Sequence, residues 1–525
     1  MTVQQVEGRV GLPMPVAELA ARRWDAVVVG GGHNGLTAAA YLARAGRSVL
    51  VLEAREQLGG AATLDRPFTD PRYLISPCAY VVGLLHPLVV DELELRRHGF
   101  DLVLLDPSLW CPFPDGTSAA LWSAVDRTVA SIEALSPSDV EGYLAYEGLF
   151  ERIRRALRLG ARDTWLGDSP DRAELAQLLA GDTEALEVLL ERSIADVVCE
   201  YVRDERLRSL LHGQGVIGTW AGPRDAGTAG VHALHAMGTL AGGGWGYVRG
   251  GTGRVSFALA DAAIEHGAVL ASGVEVAAIE PGTGVRLGGG ELIRAAAVLS
   301  NADPIRTTAL CAGEVPAPWR ERVADWGSSS PVLKLNCALR RLPRFSAAAG
   351  SQLPYRSMVT VTTGIDATQR GFELARAGRP GPAWAEVYFP SYYDPSVAPP
   401  GRHVMSVFAQ YVPYTLADGS WPARRDEIAD AALAELARFA PDVMDCIEER
   451  EVLSPPDVEA RVGLTGGHIF QGDCLPDQMW ERRFGPRTPI PGVYLCGAAT
   501  HPGGSVIGAN GRNAAMALLA DCESK

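Results

Sequence analysis

Lysine is almost missing from this chain. Among 525 residues only Lys334 and Lys525 are lysines, and every other basic side chain is arginine. Positive charge is short overall: 48 basic residues against 62 acidic ones leave a net charge of −14. That balance disfavours a nucleic-acid partner and an electrostatic hold on an anionic membrane, while leaving a peripheral, apolar membrane contact open. No run of about 18 apolar residues occurs, so no transmembrane segment is expected. Met1–Arg23 mixes Arg9, Arg22 and Arg23 with Glu7 and Glu18 and has no long apolar centre, unlike a signal or transit peptide. The nine cysteines are scattered, with no C-x-x-C pair. This suits a reducing, cytoplasmic setting and offers no local dithiol for a disulfide reductase. Of the ten histidines only His232 and His235 lie three apart, and no metal site is expected from them. No Ser-His-Asp arrangement appears at local spacing.

What is present is a globular composition, 47% hydrophobic and 21% charged. The length exceeds one typical core, so two joined domains are expected. The most informative stretch is Asp25–Gly60. Asp25–Val29 is an apolar, β-branched run, the pattern of a buried parallel strand. Gly30-Gly31-Gly32-His33-Asn34-Gly35 then fits G-x-G-x-x-G. Leu36–Ala45 is rich in good helix formers, and Gly46 stops it. Ser48–Leu52 reads as a second strand that ends in Glu53, 53 − 30 = 23 residues after Gly30. This is the layout of a dinucleotide-binding βαβ unit. Gly30 allows the tight turn, Gly32 lets a pyrophosphate approach the backbone, and Gly35 lets the helix pack close to the strand. Free amides at the helix start favour phosphate. Glu53 accepts hydrogen bonds from a ribose hydroxyl and repels a 2′-phosphate. No second unit of this kind appears, so a dedicated NAD(P) domain is not expected.

Two further stretches point to a flavin. Glu53-Ala54-Arg55-Glu56-Gln57-Leu58-Gly59-Gly60 carries another glycine pair directly after the acid. Tyr494 to Gly504 reads as a strand and glycine turn, with a helix expected over Val506–Leu519. Both resemble the glutathione-reductase-like class of FAD proteins. Together with Pro331–Asn336, Gly466–Asp473 and Cys496–Ala515, they resemble the phytoene-desaturase-like flavoproteins from Trp24 onward. The nearest group is that named pyridine nucleotide-disulfide oxidoreductase domain-containing protein 2.

The resemblance implies an α/β fold: a Rossmann-like FAD-binding domain of the glutathione-reductase-like class with a discontinuous mixed α+β substrate domain. The expected division is an N-terminal extension 1–23, an FAD-binding domain from 24–80, 245–315 and 456–525, and a substrate or cap domain from 81–244 and 316–455. It implies non-covalent FAD contacts at Gly30, Gly32, His33, Asn34, Gly35, Glu53, Ala54, Arg55, Gly59, Gly60 and Ala61. Further contacts are implied at Val276, Ala302, Gly497, Pro502, Gly503, Gly504, Ser505 and Val506. Many relatives carry an acid just after the glycine equivalent to Gly497; this chain has Ala498. Cys496 precedes that turn within a strand and is expected to be packed, not flavin-linked.

Lys334 lies in the apolar strand V-L-K-L-N, where a charge is costly unless used or paired. Its position looks like the strand lysine of amine oxidases, which holds water under flavin N5, and makes it the candidate catalytic residue. Alternation alone leaves a solvent-facing side chain equally open. Ser136–Leu211 is helical in pattern, and Leu175, Leu178, Leu179, Leu186, Leu189 and Leu190 read as a cap-domain core, with a lipid-facing surface as the sharper alternative. Gly213–Gly253, with Trp220, Trp245 and Tyr247, is either a cavity wall or a set of tight turns. The expected activity is that of an FAD-dependent dehydrogenase, desaturase or oxidase. It would take hydride from a small or lipophilic organic substrate and pass electrons to O₂, a quinone or another acceptor. A redox-neutral flavin-dependent isomerase and a non-catalytic binding protein on the same scaffold are the alternatives.

Overall fold

The apolar run before the glycine turn becomes the middle of a seven-stranded sheet in a computed structural model that describes residues 2–240 and 242–524. The strand is Arg23–Val29, flanked in parallel by Val49–Glu53 and Leu292–Ser300. Val269–Ser272 extends the sheet beyond Val49–Glu53. The other edge of Leu292–Ser300 is shared. Its first residues pair with an antiparallel meander, Val276–Glu280 and Gly284–Leu287, and its last three with Val493–Leu495. Alternation accounts for the burial. Ala26 and Val28 pack with the helices His33–Arg44, Gly253–Glu265 and Ala509–Glu523. Val27 and Val29 share a cluster with Trp319 and Trp326 on the opposite face. Burial on both faces is why the run reads as continuously apolar.

The last helix begins at Ala509, not at Val506 as the sequence pattern suggests. Gly508, at φ 77°, turns the chain into it. The turn Pro502–Ser505 therefore does not head the helix. Gly511 sits where this helix crosses His33–Arg44; a Cβ there would lie 2.1 Å from the Asn34 carbonyl oxygen. The N-terminal stretch is also packed. The Val3 amide donates to Asp261 at 2.7 Å, and the short helix Val16–Ala21 buries Leu19.

A second seven-stranded sheet runs in the order Ile447–Leu453, Val332–Leu339, His403–Gln410, Trp384–Tyr388, Met358–Thr362, Leu109–Pro112, Ser118–Leu121. It is antiparallel except between Met358–Thr362 and Leu109–Pro112. Leu109–Pro112 lies in the proline-rich stretch 61–114, whose pattern suggests loops and short strands, and Ser118–Leu121 follows it. One face carries Leu333, Leu335, Val387, Val407 and Ala409 against the helix Trp421–Ala437.

The opposite face is built in rungs set by the register. Lys334 pairs with Phe408, and Phe408 with Glu386; Asn336 pairs with Ser406, and Ser406 with Tyr388. Six helices between Val140 and Ala236 cap this side. Leu175, Leu179 and Leu189 are buried in their core, with Leu178, Leu186 and Leu190 packed against it. The leucine stripe faces protein, not lipid.

Candidate active site

A cavity of about 490 Å³ lies between the two sheets. That is within the usual range for small-molecule sites, about 300–1,000 Å³. One end is the glycine turn. Gly30, at φ 97°, swings the chain out of Arg23–Val29 so that the first turn of His33–Arg44 opens on the cavity. First-turn amides have no partner inside their own helix and suit an anion. Glu53 holds the turn from below: its carboxylate accepts from the Gly31 amide at 2.8 Å and the Arg55 amide at 2.9 Å. His33 Nε2 and Asn34 Oδ1 are buried without any hydrogen-bond partner. Burial lowers the His33 pKa to about 4, so the ring is neutral.

The other end is the rung face of the second sheet. All eight residues of Val332–Leu339 are buried, which removes the solvent-facing reading of Lys334. Its Nζ donates to Ser406 Oγ and, at 3.2 Å, to Asn336 Oδ1, and sits 4.3 Å from the centre of the Tyr80 ring. Burial lowers its pKa from 10.5 to about 7. Asn336 in turn donates to the Pro77 carbonyl and to Glu451, which ties the loop carrying Cys78, Ala79 and Tyr80 against the sheet. Glu386 lines the cavity two strands from Lys334. It accepts from Tyr80 Oη at 3.1 Å and from Gln214 Nε2 at 3.0 Å, and burial raises its pKa to about 7. Ile217, His235, Trp245, Phe408 and Phe470 supply an apolar and aromatic surround.

The sequence pattern of the flavin containing amine oxidoreductases matches residues 35–519. The chain belongs to this family. It is 34% identical to rat (Rattus norvegicus) pyridine nucleotide-disulfide oxidoreductase domain-containing protein 2, covering 95% of this chain and 94% of that one. It is 28% identical to a component of the limonene dehydrogenase of Castellaniella defragrans, covering 95% of each. Phytoene desaturases are among its relatives, as the sequence motifs suggest. In fold it matches a crystal structure of an oxidoreductase from Methanosarcina mazei with a TM-score of 0.60 at 16% identity, over 95% of this chain and 100% of that one. The protein is thus an FAD-dependent oxidoreductase with the family's α/β fold.

For a flavin containing amine oxidoreductase, the cavity fits its cofactor. Open helix-start amides, the unpartnered His33 and Asn34 atoms and the Glu53 carboxylate form a polar end for a dinucleotide. Gly30, Gly32, His33, Asn34, Glu53, Ala54, Arg55, Gly60, Ala61, Val276, Ala302, Ser505 and Val506 all line the cavity, as does Lys334. Gly35, Gly59, Gly497, Pro502, Gly503 and Gly504 do not line it. Gly35, Gly59, Gly497 and Gly504 serve close packing instead. A Cβ at Gly35 would lie 2.3 Å from the Gly30 oxygen, and one at Gly504 2.3 Å from Phe470 Cβ. Cys496 is fully buried in the sheet side of that turn. Trp220 and Tyr247 pack against Phe372 and Tyr393 and do not line the cavity, whereas Trp245 does. Among the described residues, no group of three or more His, Cys, Asp or Glu is arranged to hold a metal ion.

Two features escaped the sequence reading. One is Glu386, an ordinary strand position by pattern. The other is Arg483, whose buried guanidinium donates to the carbonyls of Phe470, Asp473, Gln478, Ala498 and Thr500. This one side chain ties the loop Phe470–Gln478 to the turn at Ala498–Thr500. Nothing local in E-R-R-F marks it.

Proposed function

We propose that this flavoenzyme dehydrogenates a lipophilic organic molecule, with FAD held non-covalently along the cavity. The observation that carries this reading is the continuity of one cavity from the glycine turn to Lys334. The turn Gly30–Gly35 would hold the pyrophosphate, Glu53 a ribose hydroxyl and Val276 the adenine end, while Ser505, Val506 and Lys334 would face the reactive ring. Flavin supplies hydride acceptance when bound. The chain supplies the rest. The rungs orient the substrate, the apolar lining excludes water, and the Lys334 amine holds a water or moves a proton near neutral pH. The first sheet with its three helices forms the cofactor half, and the second sheet with the helical cap forms the substrate half. Kinship with a protein named for limonene dehydrogenase supports C–C dehydrogenation of a hydrocarbon-like substrate. No helix among the described residues is long and apolar enough to cross a membrane. Nine unbridged cysteines suit a cytoplasmic site.

The test is optical. Purified protein should be yellow, and anaerobic addition of limonene or a longer polyene should bleach it, whereas benzylamine should not. Reoxidation by O₂ against a soluble quinone then identifies the acceptor class. A colourless protein, or bleaching by the amine alone, would overturn the reading.

A further inference from the structure

Hydride removal from a neutral, hydrocarbon-like substrate leaves a carbon with positive charge. The rung face offers a site suited to such a charge. Glu386 is the carboxylate on that wall; Glu53 and Glu275, the other acids lining the cavity, lie with the residues of the first sheet. Glu386 makes no ion pair among the described residues. It is held by neutral donors alone, Tyr80, Gln214 and Tyr388. Gln214 is itself oriented by Trp245, whose Nε1 donates to Gln214 Oε1 at 3.3 Å. The Tyr80 and Phe408 rings, with centroids 5.7 Å apart, stand beside the carboxylate, and Trp245 lines the same cavity. A buried carboxylate without a counter-cation is costly unless it is protonated or a cation arrives. Aromatic faces attract cations as well. Tyr80 already does so, since the Lys334 ammonium lies over its ring.

We propose that Glu386, flanked by Tyr80, Phe408 and Trp245, is the catalytic group that stabilises the positive charge developing on the substrate and then accepts its proton. This rests on the flavoenzyme reading above. Two substrate C–H bonds break. One hydrogen leaves with both electrons to the flavin, and the carbon left behind is positive. The neighbouring hydrogen leaves as a proton to a Glu386 oxygen, and its electron pair closes the double bond. Glu386 becomes a carboxylic acid, and later returns the proton to solvent. Lys334 is two strand spacings away, about 10 Å, so the two groups act at separate points along one row.

The groups facing Glu386 set its pH behaviour. Tyr80 and Tyr388 have pKa values raised by burial and stay protonated, and burial lowers His235 to about 4, so it stays neutral. Lys334 alone titrates in the same range. As pH rises through about 7, Glu386 gains charge and Lys334 loses it, and both changes favour a bound cation.

The test uses the yellow holoenzyme and two isosteric probes, benzyltrimethylammonium and its neutral carbon analogue neopentylbenzene. Binding is read from the flavin absorption band, not from turnover. The parent should bind the cation roughly tenfold or more tightly than the neutral probe, with affinity rising through neutral pH. Glu386→Gln should lose this preference while keeping its flavin and spectrum, because the Tyr80 hydroxyl can accept from the new amide. Lys334→Met should keep the preference. Tyr80→Phe removes a donor from the ionised carboxylate, so the pH at which cation binding strengthens should move upward. That shift decides the matter if Glu386→Gln does not fold. Equal affinity for both probes in the parent, or an unchanged preference in Glu386→Gln, overturns the proposal. A colourless protein would instead overturn the flavoenzyme reading itself.

Discussion

Lys334 is a buried charge whose cost can be measured. Burial draws its pKa from 10.5 to about 7. At about 1.4 kcal/mol for each tenfold change in proton affinity, that displacement corresponds to about 5 kcal/mol. The sign follows from proton counting. Between about pH 7 and 10.5 the unfolded chain carries the lysine proton and the folded chain does not, so stability rises with pH across that window. Below about pH 7 the full penalty is present in the folded protein. Lys334→Met removes the penalty and leaves Ser406 and Asn336 short of one donor each, a loss of roughly 1–3 kcal/mol. The variant should therefore be more stable than the parent by about 2–4 kcal/mol near pH 6, and the gain should shrink by about 1.4 kcal/mol per pH unit above neutrality. At about 2.1 cal/mol/K per residue, 525 residues give roughly 1 kcal/mol per degree, so the expected rise in Tm is a few degrees. Scanning fluorimetry of parent and variant from about pH 6 to pH 9.5 measures it. A gap that does not change with pH would refute the reasoning, because it would mean that Lys334 keeps its proton when folded.

Gly32→Val should yield apo protein: even a bare Cβ there would lie 2.7 Å from Asn301 Nδ2 and enter the pyrophosphate path, and the 450 nm-region absorbance of purified protein checks it. Glu53→Ala strips acceptors from the Gly31 and Arg55 amides, so flavin retention on dialysis should fall, by roughly 1–3 kcal/mol of binding. Acid precipitation should release the yellow colour into the supernatant, since Cys496 is packed in the sheet; colour kept in the pellet would reveal a covalent bond. Gly504→Ala should lower soluble yield with or without added FAD, because the new methyl meets Phe470 backbone and side chain together.

The glycine turn was legible because its chemistry is local: strand, turn, helix start and acid sit within one stretch, and their residue types each have a backbone reason. The cap leucines were legible through their helical period. Lys334 was only half legible. Alternation separates two faces, but Val332–Leu339 has no solvent face, so the pattern carried no vote on which way the amine points. Glu386 was illegible for a related reason. In W-A-E-V-Y it reads as the polar half of an ordinary alternation, and the groups that bury it, Tyr80 and Gln214, lie 306 and 172 residues away. The stretch 61–114 read only as loops and short strands because Pro107, Pro112 and Pro114 blur the pattern around Leu109–Pro112; they fall at or outside the strand's ends, where no ladder donor is needed. The last helix was read three residues early because Val506 and Ile507 continue its apolar pattern up to the left-handed Gly508.

The first sheet is threaded from the beginning, middle and end of the chain. Arg23–Val29 and Val49–Glu53 wait for Val269–Ser272 and Leu292–Ser300, and these wait for Val493–Leu495. During synthesis the helix His33–Arg44 is therefore made long before Ala509–Glu523, the helix that seals its flank. Such distant pairing makes folding slow and leaves apolar surface open meanwhile. A chain interrupted in the substrate half keeps every residue of its nucleotide motif and still has no finished place to put the nucleotide.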